Sequence, residues 1–305
     1  MAVGNQLAQK AQKASLTAYL TQDAVKNQIN KVVGGKNGTR FISSIVSAVQ
    51  TTPALQECTN NSILNAALLG EALNLSPSPQ LGQFYMVPFK NKKKGITEAQ
   101  FQLGYKGYIQ LAIRSGYYKK LNVIPIKEGE LIRYNPLDEE IEVALIEDDI
   151  VREETSTTGY YAMFEYENGF RKTMYWSKKK MQAHADKYSA AYNAKIAAQI
   201  EAGKIPDSEM WKYSSFWYKD FDGMAMKTML RQLISKWGIM SIDLQKAMDG
   251  DMAVIAEDGT PDYVENYNEE REPDIVADQD MKEVTSEPIM QQTERKADIE
   301  AEFFN

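Results

Sequence analysis

The side chains of this sequence that are best suited to do chemistry are cations that alternate with aromatic rings. In the segment 104–116, which is bounded by glycines, Lys106, Gln110 and Arg114 recur at i, i+4 and i+8. This spacing puts all three on one face of a predicted helix. Tyrosines such as Tyr105 lie among them. Cations interleaved with rings are typical of surfaces that hold phosphates and stack bases, although helical lysines are also common on solvated faces.

Three further segments share this composition. Residues 90–95 form a lysine-rich tip between two predicted strands, residues 178–180 are three lysines that open a predicted helix, and residues 211–218 mix aromatic rings with lysine. Lysines in a first helical turn oppose the helix dipole, so either an anion binds there or the position matters little. The predicted phosphate contacts are Lys92, Lys93, Lys94, Lys106, Arg114, Lys119, Lys120, Arg171, Lys178, Lys212, Lys227 and Arg231, and the predicted stacking rings are Tyr105, Tyr108, Trp211 and Trp217.

Most of the residue types that catalysis needs are scarce in this chain. One cysteine, Cys58, and one histidine, His184, exclude a disulfide framework and a Cys/His zinc site, and we expect His184 to be a surface residue. The segment 34–39 has glycines, a lysine and a threonine without the spacing of a phosphate-binding loop, so it is interpreted as a helix stop. We predict no catalytic centre, cofactor or metal. The acidic block 138–154 leaves a metal-dependent nuclease as an alternative, although such blocks are more often solvated.

The charge divides the chain into two regions of opposite sign. Its 305 residues are 43% hydrophobic and carry a net charge of −7. Residues 249–305 contain 18 acidic against four basic residues, which leaves a net charge of +7 on residues 1–248. The acidic region has three prolines and no tryptophan. We therefore predict that it is a largely disordered tail.

Hydrophobic spacing predicts both helices and strands. Helical spacing occurs at 22–33, 39–51, from Asn61 or Ser62 to 73, 104–116, after Ser177 and at 221–237. Alternation predicts strands at 83–89, 98–103, 121–126, 140–146, 159–165 and 170–176, with a hairpin turn at 168–169. The first three predicted helices precede the strands.

The expected domains are an N-terminal helical segment, 1–52, a core, 53–248, and the acidic tail, 249–305. The apolar side of the first segment either packs within the chain or forms an oligomerisation surface. No apolar run has the length of a membrane span, and the first residues lack a signal-peptide pattern. We expect no membrane partner and a cytoplasmic location.

Three segments of the sequence resemble the RecT family of phage single-strand annealing proteins. They are LGQFYMVPF at 81–89, GYKGYIQLAIRSG at 104–116 and DFDGMAMKTMLR at 220–231, and they occur in that family's order. The resemblance spans about residues 55–242. It implies an α+β fold, in which an antiparallel sheet with hairpins is packed by helices and preceded by N-terminal helices.

The resemblance implies an ATP-independent recombinase of a bacterial host cell that coats single-stranded DNA and anneals it to a complement. It implies assembly into rings or helical filaments that hold the duplex product, with a phage exonuclease and the host single-strand-binding protein as partners. Lys106, Arg114, Lys227 and Arg231 are expected to face the DNA backbone, within a DNA-binding annealing core at 53–248.

Two other functions remain open from the residues alone. One is the metal-dependent nuclease, and the other is a passive coat that binds single-stranded DNA but delays pairing. Removal of the acidic tail at Met248 is expected to tighten DNA binding, because it removes a net charge of −14.

Overall fold

Helices lie against antiparallel sheets throughout the part of the chain that can be described. The computed structural model describes residues 15–34, 37–189, 191–213 and 215–263. Residues 264–305 of the predicted tail lie outside the described residues, as do residues 1–14 and Gly35 and Lys36 of the predicted helix stop.

All six helices predicted from the sequence are present, together with others that it did not predict. The helices of the described residues are α1 (Leu16–Leu20), α2 (Asp23–Val33), α3 (Gly38–Thr51), α4 (Asn60–Ala72), α5 (Tyr105–Ser115), α6 (Asp149–Glu154), α7 (Lys178–Tyr188), α8 (Ala194–Glu201), α9 (Phe216–Lys219), α10 (Phe221–Trp237) and α11 (Ile242–Gly250), with 3-10 helices at Pro53–Glu57 and Asp207–Lys212. The predicted ones are α2, α3, α4, α5, α7 and α10. Gly116 ends α5 with φ at 74°, a left-handed conformation that costs glycine little, and the Asp220 side chain caps the start of α10. The N-cap of α4 is Thr59, not Asn61 or Ser62 as predicted.

The strands form three separate sheets. The strands of the described residues are β1 (Phe84–Asn91), β2 (Ile96–Leu103), β3 (Tyr118–Lys127), β4 (Leu131–Asn135), β5 (Glu140–Val143), β6 (Thr157–Tyr166), β7 (Arg171–Ser177), β8 (Ala253–Ile255) and β9 (Pro261–Asp262). The first sheet has the order β1-β2-β8-β9, the second β3-β6-β7 and the third β4-β5, and the pairings between these strands are antiparallel.

The α+β class and its hairpins are confirmed. The predicted turn joins β6 to β7, and Gly169 within it has φ at 84°. The single sheet expected from the sequence is instead divided, because α5 separates the β1-β2 hairpin from β3, which pairs with β6.

Helix α4 covers one face of the first sheet. Phe84 of β1 stacks on Phe101 of β2 with ring centroids 5.1 Å apart, and both side chains are buried. A Cβ atom at Gly70 of α4 would lie 2.3 Å from the Phe84 ring. Glycine is therefore required there for α4 to approach the sheet.

Helix α10 covers the second sheet and is held there by two partly buried hydrogen bonds. The Tyr160 hydroxyl of β6 donates to Asp222 Oδ1 at 2.6 Å, and Thr157 Oγ1 donates to Asp222 Oδ2 at 2.9 Å. Burial, and then the Asp222 carboxylate, raise the pKa of Tyr160, so the hydroxyl remains a donor.

The described N-terminal helices share the core of the main body. Ile29 of α2, Ile45 of α3 and Leu64 of α4 are fully buried in one continuous cluster. The apolar side of these helices therefore packs within the chain, which was one of the two alternatives for residues 1–52.

The ordered fold extends beyond the predicted boundary at 248. β8 pairs with β2, and Ala253, Val254 and Ile255 are buried. The Asn65 side chain donates to the Ile255 carbonyl at 3.1 Å. Residues 253–255, near the start of the predicted tail, therefore form a strand of the first sheet. The acidic residues around them left no strand pattern in the sequence.

A single buried carboxylate anchors the acidic insertion between β3 and β6. Glu130 is fully buried and accepts from Arg152 Nε at 2.6 Å and from the backbone N–H groups of Lys127 and Ile146. Burial alone would raise the pKa of Glu130, but these hydrogen bonds lower it below its usual value.

Replacing Arg152 with Met should lower the free energy of unfolding by about 3 kcal/mol, because Glu130 loses its counterion while staying buried. In the unchanged protein, this stabilisation is present above the usual Glu pKa of 4.5 and is lost as pH falls through the lower folded-state value. Urea unfolding at pH 7 and pH 3.5 measures both effects. Arg133→Met is the control, because Arg133 pairs with Glu140 on the surface. Equal loss in both variants would contradict the anchor.

Truncation after Met248 should destabilise the fold, because it removes β8 and the buried Asp251. Truncation after Tyr263 removes 13 acidic and four basic residues and keeps both. We expect the shorter chain to show a lower Tm, and the chain ending at Tyr263 to melt as the full chain does. Equal melting of the two truncated chains would show that β8 does not support the core.

Candidate nucleic-acid interface

Two of the predicted phosphate contacts form a buried ionic cluster. Asp251 is 1% exposed, and its Oδ1 lies 2.8 Å from Lys227 Nζ, while its Oδ2 lies 2.9 Å from a terminal nitrogen of Arg231. The backbone N–H of Leu103 also donates to Asp251 Oδ1 at 2.9 Å. Lys227 is 6% exposed, so its ammonium group faces Asp251 and not a DNA backbone, which differs from the prediction. Arg231 retains a side chain that is 39% exposed.

Two of the predicted stacking rings are also buried. Tyr108 is fully buried, and its hydroxyl, near Asp251, has no hydrogen-bond partner among the described residues. Burial, followed by the Asp251 charge, raises the pKa of Tyr108 well above its usual value. Trp217 is 7% exposed and packs against Phe221 and Tyr192. Neither ring can stack on a base in this conformation, which corrects the prediction for both.

The two cations predicted on the α5 face have different roles. Arg114 donates to the carbonyl oxygens of Leu73 and Asn74 at 2.6 and 3.3 Å, and so caps the C-terminal end of α4. Lys106 is exposed, and its Nζ lies 5.9 Å from the centroid of Tyr105, a half-buried ring. Lys106 and Tyr105 therefore remain together at the surface as predicted.

The lysine-rich tip joins β1 to β2. Lys94 Nζ lies 3.5 Å from Glu98 and 3.4 Å from Asp262, while Lys92 and Lys93 are exposed. The Asn91 side chain accepts from the Lys94 backbone N–H and so shapes the turn. The lysine tip is thus a surface projection with acidic neighbours on the first sheet.

The second sheet brings three predicted contacts close to one another, and two of them pair with the same carboxylate. Lys120, Glu165 and Arg171 are neighbours across β3, β6 and β7. Lys119 Nζ lies 2.9 Å from Glu165 and Lys120 Nζ lies 3.5 Å from it, because a register shift after Tyr118 lets both lysines reach the same carboxylate. The hydrogen bond from Lys119 contributes most to lowering the pKa of Glu165. We call these four residues the sheet-edge cluster.

The remaining predicted residues lie on two separate helices. Lys178 Nζ is 3.5 Å from Glu201 of α8, and Lys212 Nζ is 2.9 Å from Glu209 within the same 3-10 helix. Trp211 is 75% exposed and is the most accessible of the predicted stacking rings. None of these contacts removes the side chains from solvent.

Sequence reasoning missed an aromatic row on α7. The ring centroids of Trp176 and His184 are 5.3 Å apart, and those of His184 and Tyr188 are 4.6 Å apart. The signal in the sequence was the i, i+4 spacing of His184 and Tyr188, eight residues after Trp176.

The described acidic side chains do not form a metal site. Within residues 15–34, 37–189, 191–213 and 215–263, no group of three or more His, Cys, Asp or Glu side chains is arranged to hold a metal ion. An open cavity of about 510 Å³ lies between the β4-β5 hairpin and β7, lined by four acids together with Arg133 and Arg171.

In the described part of the chain, no helix is long and apolar enough to cross a membrane.

Comparison with known proteins places the chain in a family of annealing proteins. Residues 39–273 match the RecT family, and the chain belongs to that family. It is 38% identical over 284 residues to the uncharacterized protein YqaK of Bacillus subtilis (strain 168), covering 93% of this chain and 86% of YqaK. It is 25% identical over 252 residues to the protein RecT of Escherichia coli (strain K12), covering 81% and 84% of the two chains. Membership indicates single-strand annealing in recombination, with single-stranded-DNA binding and self-association.

Lys227→Met should lower the free energy of unfolding by about 3 kcal/mol. The buried Asp251 carboxylate would then keep only Arg231 and the Leu103 N–H group as partners. The double variant Lys227→Met with Asp251→Asn should recover part of that loss, because the uncompensated charge is gone. Denaturant unfolding of the two variants measures the difference. A Lys227→Met variant as stable as the parent would contradict the structural role of this lysine.

Proposed function

We propose that this protein is an ATP-independent single-strand annealing recombinase of (pro)phage homologous recombination. It binds single-stranded DNA, pairs it with a complementary strand and holds the duplex in an oligomeric filament. Family membership over residues 39–273 supports the general activity. The finer steps are our proposal.

The sheet-edge cluster is the observation that carries the DNA-binding surface. Lys119 and Lys120 pair with Glu165, and Arg171 lies next to Glu165 across β6 and β7, so the cluster has three cations for one carboxylate and an excess of positive charge. The side chains of Lys119 and Lys120 are 48% and 63% exposed, whereas that of Glu165 is 16% exposed. Ion pairs whose cations are in contact with solvent stabilise a fold little, so both lysines can turn from Glu165 to a DNA phosphate. Each exchange also releases counterions from the DNA.

The proposed contacts are the predicted residues that stay at the surface, apart from Arg114, which is exposed but caps α4. Arg231 keeps a partly exposed guanidinium group, whereas Lys227, Tyr108, Trp217 and the capping Arg114 have structural roles. The proposed phosphate contacts are Lys92, Lys93, Lys94, Lys106, Lys119, Lys120, Arg171, Lys178, Lys212 and Arg231, with Tyr105 and Trp211 as stacking rings.

Annealing needs phosphate contacts without base-reading contacts. Two DNA strands repel each other, and cations that neutralise both backbones leave the base edges free to pair. No covalent bond changes in this reaction, so the proposal needs no nucleotide, cofactor or metal. Self-association would align many weak pairing sites along one strand.

The partners follow from the proposed recombination role. We propose a homo-oligomer, as a ring or helical filament, acting in the cytoplasm of the bacterial host. A phage exonuclease would supply the single strand, and the host single-strand-binding protein would be present on it.

Full-length protein should speed the pairing of two complementary oligonucleotides added one after the other, without nucleotide or metal.

Changing Lys92, Lys93 and Lys94 together to Gln should reduce the slope of log Kobs against log salt by about 2, because three contacts to a single strand are lost. Fluorescence anisotropy over a salt series measures this slope.

Changing Lys26, Lys31 and Lys204 to Gln removes the same charge from residues outside the proposed surface and serves as the control. An equal change of slope in both triple variants would contradict the role of the lysine tip. Tight binding with slowed pairing would identify a passive coat and overturn the annealing proposal.

A further inference from the structure

Helix α7 carries a row of aromatic rings that the proposed contacts do not use. Trp176, at the end of β7, contacts His184, and His184 contacts Tyr188, with centroid distances of 5.3 and 4.6 Å. We call these three rings the α7 ladder. Trp176 is half-buried against the core, whereas Tyr188 is 55% exposed. The ladder therefore has a fixed inner end and an accessible outer end.

A lysine lies over the ring at each end of the ladder. Lys180 Nζ is 4.5 Å from the Trp176 centroid, and Lys187 Nζ is 5.2 Å from the Tyr188 centroid. Residues 180, 184, 187 and 188 share one stripe of α7, beside the buried Met181 and Ala185. Two cations and two rings are thus presented along one side of α7, and the Trp176 ring of β7 lies against its first turns.

The charge of this region favours a polyanion. Helix α7 contains four lysines and one acid, Asp186, whose Oδ1 is engaged by the Ala194 backbone N–H at 2.9 Å. Burial, and then the charge of Lys180, lower the pKa of His184, so the central ring is neutral near pH 7. A neutral imidazole adds stacking surface without repelling the two lysines.

We propose that the α7 ladder is a second contact site for single-stranded DNA, in which a base stacks on the exposed face of Tyr188 while Lys180 and Lys187 bind phosphates of the same strand. The seven steps from residue 180 to residue 187 rise roughly 10 Å along the helix, about the length of three stacked nucleotides. Stacking tolerates any base, as sequence-independent pairing requires. This inference rests on the proposed function, since it names a further part of the same DNA-binding surface.

An oligonucleotide without bases separates stacking from charge. We compare the affinity of full-length protein for an oligo-dT strand and for an abasic strand of the same length and charge. Tyr188→Leu should weaken binding to oligo-dT about ten-fold and leave binding to the abasic strand unchanged, because only the stacked base is lost. Tyr188→Phe keeps the ring and should bind both strands as the parent does.

Tyr117→Leu is the matched control, because Tyr117 is a similarly exposed tyrosine, at 48%, outside the ladder. It should bind both strands as the parent does. Circular dichroism and the Tm check that each variant folds.

The outcomes distinguish the two proposals. Unchanged oligo-dT binding by a folded Tyr188→Leu variant would overturn the ladder site and leave the annealing function standing. Equal weakening on both strands would also overturn it, because the residue would then act through the fold. A parent protein that binds neither strand would overturn the annealing function, and the ladder site with it.

Discussion

The buried carboxylate of Asp251 holds together three parts of the chain that are far apart in sequence. It accepts from Lys227 and Arg231 of α10 and from the backbone of Leu103 at the end of β2, while β8, directly after it, pairs with β2. A carboxylate without solvent is stable only if its charge is fully compensated, and here both oxygens are engaged. Strand β2, helix α10 and strand β8 are therefore positioned relative to one another by one residue.

This constraint divides the cations of the chain into two kinds. Lys227 and Arg152 hold buried carboxylates, and their removal leaves an uncompensated charge. Lys119, Lys120 and Lys178 pair with Glu165 or Glu201 while their own side chains stay in contact with solvent. Under the proposed function, cations of this second kind exchange a protein carboxylate for a DNA phosphate without leaving a fully buried carboxylate uncompensated. Arg231 belongs to both kinds, because it pairs with Asp251 while its side chain is 39% exposed.

Local patterns predicted the elements that local physics determines. The glycine-bounded helix α5, the helix α10 and the hairpin turn at Gly169 follow from capping, spacing and backbone conformation, which act within a few neighbouring residues. β8 was missed because three apolar residues in an acidic region carry no periodic signal, and their burial depends on β2, about 150 residues earlier in the chain. The division into three sheets likewise depends on which strands meet after α5.

The sequence alone determined the α+β class, the main helices and hairpins, the basic body and the family resemblance, because these depend on composition, periodicity and short motifs. It did not determine which cations and rings are accessible. Lys106 and Lys227 both lie in segments that resemble family motifs, yet one is exposed and the other lies against Asp251. Trp211 and Trp217 are six residues apart, yet one is 75% exposed and the other 7%. Accessibility was decided by tertiary structure, because it depends on which distant segments pack over a side chain.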